Sequence, residues 1–219
     1  MERQAIVTRI IESGLIAVVR AENADKAARI ADACREGGAV AIEITFTVPG
    51  ALKVIEALAK RFAGGEILIG AGTVLDQETA RAALLAGAQY IVSPHFDPAI
   101  VKLCHRYRVP VMPGTMSVTE IVRAIESGAD LIKVFPGDVL GPQFLRAVRG
   151  PLPHALLAPS GGVTLENVAD WIDAGAAALS VGRPLMAGIA PGDSKGLATR
   201  TREFIQRVRD ARAQLAASA

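Results

Sequence analysis

The feature that most restricts this chain is a recurrence of short apolar runs. They begin at Leu15 (LIAVVR), Ala41 (AIEIT), Ile67 (ILIGA), Tyr90 (YIVSP), Val109 (VPVMPG), Leu131 (LIKVFP), Ala155 (ALLAPSGG) and Ala178 (ALSVG), at intervals of 19 to 26 residues. Each interval has room for one strand and one crossover helix of about three turns. The intervening segments carry apolar residues at helical spacing, such as Ile121, Val122 and Ile125, or Val168, Trp171 and Ile172. Several close on a glycine, Gly37, Gly87, Gly128 or Gly175, placed to end a helix in a left-handed turn. Strands that alternate with helices in this way pair in parallel.

Eight such units predict an α/β fold, a (β/α)8 or TIM barrel, with residues 1–219 forming a single domain near the lower end of that fold's size range. Gln4 to Ser13 is read as an extra N-terminal helix closing the bottom, and Lys195 to Ala217 as the last outer helix. An open, doubly wound sheet is the alternative. It would normally carry a G-x-G-x-x-G turn after the first strand, whereas the residues after Arg20 read AENADKAAR.

Composition narrows the partners. Lys and Arg total 24 against 22 Asp and Glu, and the charges are scattered rather than gathered into a basic stripe, which argues against nucleic acid. The longest apolar stretches have five to six residues, far short of the roughly 18 needed to cross a bilayer, so no membrane role is expected. Glu2, Arg3, Arg9 and Glu12 leave no apolar signal core in the first twelve residues. The two cysteines, Cys34 and Cys104, fall in expected helices, and a cytoplasmic location is expected.

Two charged residues interrupt the apolar runs. Lys133 sits between Ile132 and Val134, whereas the other five lysines fall in helices or their flanks. An ammonium buried in a strand is costly unless it is paired or reaches the rim. Desolvation is also how an amine becomes nucleophilic near neutral pH and able to form a Schiff base with a ketone. Glu43 alternates with Ile42 and Ile44 in the second run. It reads either as a structural ion-pair partner of Lys133 or Arg20, or as the acid/base that imine chemistry requires. The third feature is glycine loops at strand ends, GAGT at 70–73, PSGG at 159–162 and SVGR at 180–183. Loops after the seventh and eighth strands of such a barrel usually bind phosphate, and Gly161, Gly162 and Gly182 leave backbone amides open beside the cation of Arg183. Of the three histidines only His95 lies just after a strand at the carboxyl end, so no metal site is expected.

The combination EIT-F-T-VP at 43–49, GAGTV at 70–74, SPH at 93–95, MPG at 112–114, KVFPG at 133–137 and PSGGV at 159–163 resembles the 2-keto-3-deoxy-6-phosphogluconate (KDPG) and 2-keto-4-hydroxyglutarate (KHG) aldolase family. The resemblance runs from about Leu15 to Leu185. It implies a cofactor-free class I aldolase of the Entner–Doudoroff pathway, usually a homotrimer, acting on a phosphorylated 2-keto acid. The resemblance makes Lys133 the Schiff-base residue and Glu43 the acid/base. Thr73 and Pro94 would border the pyruvate moiety, Phe135 would pack beside the imine, and Gly161, Gly162, Gly182 and Arg183 would hold phosphate. Thr47 stands where many members carry a carboxylate-binding Arg, which leaves Arg20 and the hydroxyls of Thr47 and Thr73 as candidates for that role. Arg183 stands where the family often has Ser. The phosphogalactonate analogue is an alternative substrate, a phosphate-binding isomerase or epimerase an alternative enzyme, and a barrel without chemistry an alternative class.

Overall fold

The computed structural model describes residues 2–218. Helix α1 (Arg3–Ser13) leads into β1 (Leu15–Val19), α2 (Ala24–Glu36), β2 (Ala41–Thr45), α3 (Ala51–Arg61), β3 (Leu68–Gly72), α4 (Gln77–Leu85), β4 (Tyr90–Val92) and α5 (Pro98–Arg106). Then come β5 (Val111–Met112), β6 (Gly114–Thr115), α6 (Val118–Glu126), β7 (Ile132–Val134), α7 (Gly137–Arg149), β8 (Leu157–Pro159), α8 (Val168–Asp173), β9 (Leu179–Val181), α9 (Arg183–Met186) and α10 (Ser194–Ser218). The helices begin where side chains satisfy otherwise unpaired first-turn amides. Asn23 accepts from Lys26 N, Asp76 from Thr79 N, and Ser117 with Glu120 forms a reciprocal capping box.

All strand pairs are parallel. Six strands form one curled sheet in the order β5-β4-β3-β2-β1-β9, and three form another in the order β6-β7-β8. The run read from the sequence as one strand at Val109 is split into β5 and β6 by Pro113, which has no N–H to give a ladder. Its carbonyl still accepts from Lys133 N at 2.9 Å. On the other side, an isolated parallel bridge joins Ser160 to Ser180.

Alternation along each strand separates two apolar clusters. Outward residues such as Ile42, Ile44, Ile91, Ile132 and Val134 pack with helix residues including Ile55, Leu58, Trp171 and Phe204. Inward residues Ile16, Ala41, Leu68, Tyr90, Val92, Met112, Leu131, Ala158 and Ala178 pack instead with Ile6, Val7 and Ile10 of α1. Helix α1 therefore covers the amino-terminal ends of the strands, as expected of the extra helix. Arg3 anchors it there, giving both Nε and one Nη to Asp130 at 2.7 and 2.9 Å.

Gly87, Gly128 and Gly175 take positive φ after their helices, but Gly37 does not: its φ is −75°, and Gly38 makes the left-handed turn at +97°. Gly37 serves packing instead, since a Cβ there would press on the Ala198 carbonyl and the side chain of Thr201 in α10.

Candidate active site

Glu43 and Lys133 both lie on inner faces of strands, and both are buried, at 1% and 6% relative exposure. Their neighbours in sequence fix that direction: Ile42, Ile44, Ile132 and Val134 belong to the outer cluster, while Ala41 and Leu131 belong to the inner one. Among the described residues no ion pair joins either of them to the other or to Arg20. A buried amine and a buried carboxylate held apart have not neutralised each other, which leaves both groups open to act on a third molecule.

Lys133 is in register with Gly114 on one side and Ala158 on the other, small residues that leave its four-carbon stem room. Its Nζ stands 5.2 Å from the ring centroid of Phe135, and Thr115 Oγ1 donates to its carbonyl at 3.2 Å. Gly114 also admits the next loop: a Cβ there would run into the Pro94 carbonyl and come within 2.8 Å of His95 N. Pro94 is thereby held against β6, next to the strand that carries Lys133. Ser93, itself buried, ties the same loop by accepting from His95 N at 3.2 Å.

Glu43 is in register with Gly70 and leans over β3. A Cβ on Gly72 would come within 2.5 Å of its Cδ and closer still to Oε1, and its Oε2 is buried without a hydrogen-bond partner. Thr73, next in the chain, holds a left-handed backbone at φ 58°. For a β-branched residue this is strained, and such strain concentrates at functional turns. Thr45 and Thr47 share a hydrogen bond between their hydroxyls at 2.7 Å.

The glycine loop after β8 is ordered from within. Asn167 accepts from Thr164 N at 2.8 Å and donates to the Gly162 carbonyl at 2.7 Å, while Gly161 and Gly162 hold φ of 94° and 70°. Those conformations, and the tightness of the loop against Asp138 at the start of α7, require glycine: a Cβ on Gly162 would sit 2.7 Å from the Asp138 Cα. Gly182 lies beside Val18 of β1, and Arg183 is exposed, its side chain without a hydrogen bond among the described residues.

The structure thus places Lys133, Phe135, Pro94, Glu43 and Thr73 on the inner faces and carboxyl ends of β2, β3, β4 and β7, with the two glycine loops at the ends of β8 and β9. Arg20 is exposed and lines a separate cleft of about 570 Å³ with Lys26, Arg29, Met186 and Ile189; it touches neither Glu43 nor Lys133. A larger cavity, about 800 Å³, lies at the other end of the strands around Arg3, His105 and Asp130 and takes no part in this group. Tyr90, Thr45 and Asp138 also border this group and are not marked as site residues by the sequence pattern. Strand alternation alone puts Tyr90 on the same inner face as Val92. The Asp138 contact with the glycine loop carries no signal at the level of sequence.

A buried lysine, a buried carboxylate and glycine loops at the carboxyl ends of parallel strands fit the class of the aldolases, which are carbon–carbon lyases. The sequence profile of KDPG and KHG aldolases matches residues 6–192, and the chain belongs to that family. It is 39% identical over 159 residues to the 2-dehydro-3-deoxy-phosphogluconate aldolase of Treponema pallidum, covering 72% of this chain and 75% of the relative. It is 37% identical over 172 residues to the 2-dehydro-3-deoxy-6-phosphogalactonate aldolase of Escherichia coli K12, covering 78% of this chain and 83% of the relative. In three dimensions it is similar to a KDPG aldolase from Legionella pneumophila, a crystal structure with pyruvate captured as a covalent carbinolamine. The TM-score is 0.83 at 25% identity, covering 90% of this chain and 97% of that one.

Proposed function

We propose that the chain is a class I aldolase that splits 2-keto-3-deoxy-6-phosphogluconate into pyruvate and glyceraldehyde 3-phosphate, and also splits 4-hydroxy-2-oxoglutarate into pyruvate and glyoxylate. The observation that carries this reading is the buried Lys133 on an inner strand face with no carboxylate to neutralise it. Its Nζ adds to the C2 ketone, and loss of water from the carbinolamine gives the imine. The C4 hydroxyl then gives its proton to Glu43 and the C3–C4 bond breaks. The aldehyde departs, and the bonding pair is held as an enamine by the imine. Glu43 returns the proton to C3, and water releases pyruvate and the free amine.

Phe135 and Pro94 form the apolar wall beside the imine, and the hydroxyls of Thr47 and Thr73 receive the substrate carboxylate, without Arg20, which faces a separate cleft. Gly161, Gly162, Gly182 and Arg183 hold the phosphate; the cation of Arg183 offsets the acidic Asp138 behind the glycine loop. The architecture is a single-domain (β/α)8 barrel over 1–219, in which Pro113 links β5 to β6 and the Ser160–Ser180 bridge brings β8 to β9. The working form is a cytoplasmic homotrimer in the Entner–Doudoroff pathway, and the two free, buried cysteines accord with a reducing compartment. The phosphogalactonate analogue is a second reading, favoured by the nearly equal identity to the relative of that name.

Borohydride reduction in the presence of pyruvate, followed by peptide mapping, tests the assignment. Pyruvate should be fixed to Lys133, and Lys133→Ala should lose both the adduct and several orders of magnitude in kcat while keeping its fold. An adduct on another lysine overturns it. Cleavage of the gluconate and galactonate substrates side by side decides between the two epimers.

A further inference from the structure

Three neighbouring strands bring two buried polar groups together across a gap. Glu43 of β2 is in register with Gly70 of β3, and Gly70 is in register with Tyr90 of β4. Only hydrogens stand on the middle position. The Tyr90 ring fills that space: a Cβ on Gly70 would strike its Cε2 and Cζ and come within 2.6 Å of Cδ2. The hydroxyl-bearing end of the ring therefore reaches across β3 toward β2. From the other direction the Glu43 carboxylate leans over Gly72, two residues along the same strand. Tyr90 Oη and Glu43 Oε2 are both buried, and neither has a hydrogen-bond partner among the described residues.

We propose that Tyr90 is a positioning residue for Glu43, its phenol donating to the carboxylate directly or through one water and so keeping it ionised and oriented over β3. The inference rests on the reading of Glu43 as the proton carrier. Burial, and after it the Glu43 carboxylate, push the Tyr90 phenol well above the ordinary tyrosine range, so it remains a donor throughout the working pH range. The other groups around the carboxylate cannot substitute for it. Val18 faces it from β1 and Gly70 and Gly72 from β3, none of them with a side-chain donor. Apart from Tyr90, the only titratable side chain on an inner strand face is Lys133, among the described residues.

Tyr90→Phe removes one oxygen and keeps the ring over Gly70. Exchange of pyruvate methyl protons with deuterated water is measured against pH, with borohydride fixation of pyruvate as the check that imine formation persists. Loss of the donor disfavours the charged carboxylate, so the lower edge of the exchange profile should move up by about half to one pH unit, with its plateau little changed. Below that edge the variant should exchange roughly 3- to 10-fold more slowly than the parent. An unmoved edge overturns the proposal. A second measurement separates this failure from failure of the Glu43 reading. In a Tyr107→Phe background, which leaves Tyr90 as the one tyrosine, Glu43→Gln should lower the pH at which phenolate absorbance appears. If Glu43→Gln exchanges at the parental rate but shifts the phenol, the proton-carrier reading is wrong and the pairing stands. If the phenol does not shift, the pairing is wrong.

Discussion

Replacing Gly72 by alanine tests the placement of the Glu43 carboxylate without touching the carboxylate itself. Gly72 has no positive φ, so the backbone accepts any residue, and its neighbours in β3 stay paired. The added methyl, however, would stand within 2.5 Å of Glu43 Cδ and closer still to Oε1. The head of the side chain must retreat by roughly 1 Å, a displacement of the size that costs about 100-fold when a reacting group is held in position. Rotation of a flexible carboxylate is cheap for stability, so the thermal midpoint should fall by only a few degrees. Proton exchange on pyruvate, followed by the decay of the methyl signal in NMR, should slow by about two orders of magnitude. Fixation of pyruvate on Lys133 by borohydride should survive, since Lys133 lies in the other sheet. Undiminished exchange in a folded Gly72→Ala protein would refute the argument, because a carboxylate displaced by that much cannot transfer a proton to the same carbon at the same rate.

Arg183→Ala should cost about 1.5–3 kcal/mol in kcat/KM for phosphorylated substrates, the range of a hydrogen bond to a charged group, and spare the hydroxyglutarate reaction; equal losses on both would move the phosphate elsewhere. The thiols of Cys34 and Cys104 are both pushed up to about 12, chiefly by burial, so neither should react with a disulfide reagent at pH 8 until denaturant is added. Rapid labelling of the native protein would contradict that.

Much of this architecture is legible in the sequence because burial on both faces of a parallel strand writes itself as an uninterrupted apolar run. That same uniformity makes Glu43 and Lys133 conspicuous, since a charge inside such a run has no solvent face to occupy. Boundaries were less legible. Pro113 divides one run into β5 and β6 through a missing donor, and the choice of Gly38 over Gly37 for the left-handed turn depends on α10, more than 150 residues away. In Tyr90 the difficulty is different. An aromatic residue opening a strand is ordinary, and its meaning comes from Gly70 and Glu43 across two lateral pairings. Arg20 shows the limit for charges at a rim: its place at the end of β1 follows from the pattern, but the cleft it lines does not.

Helix α1 has a consequence for traffic. Ile6, Val7 and Ile10 press on the inward residues of the strands and Arg3 fastens the helix to Asp130, so the inner space is stoppered at one end by hydrocarbon. Among the described residues, the carboxyl ends of the strands are the side of Glu43 and Lys133 that α1 leaves uncovered. With Lys133 as the imine-forming residue, the aldehyde leaves first and pyruvate follows only after the lysine is freed, the order that the proposed covalent step sets. Anything bound at the glycine loops governs that exit as well as entry.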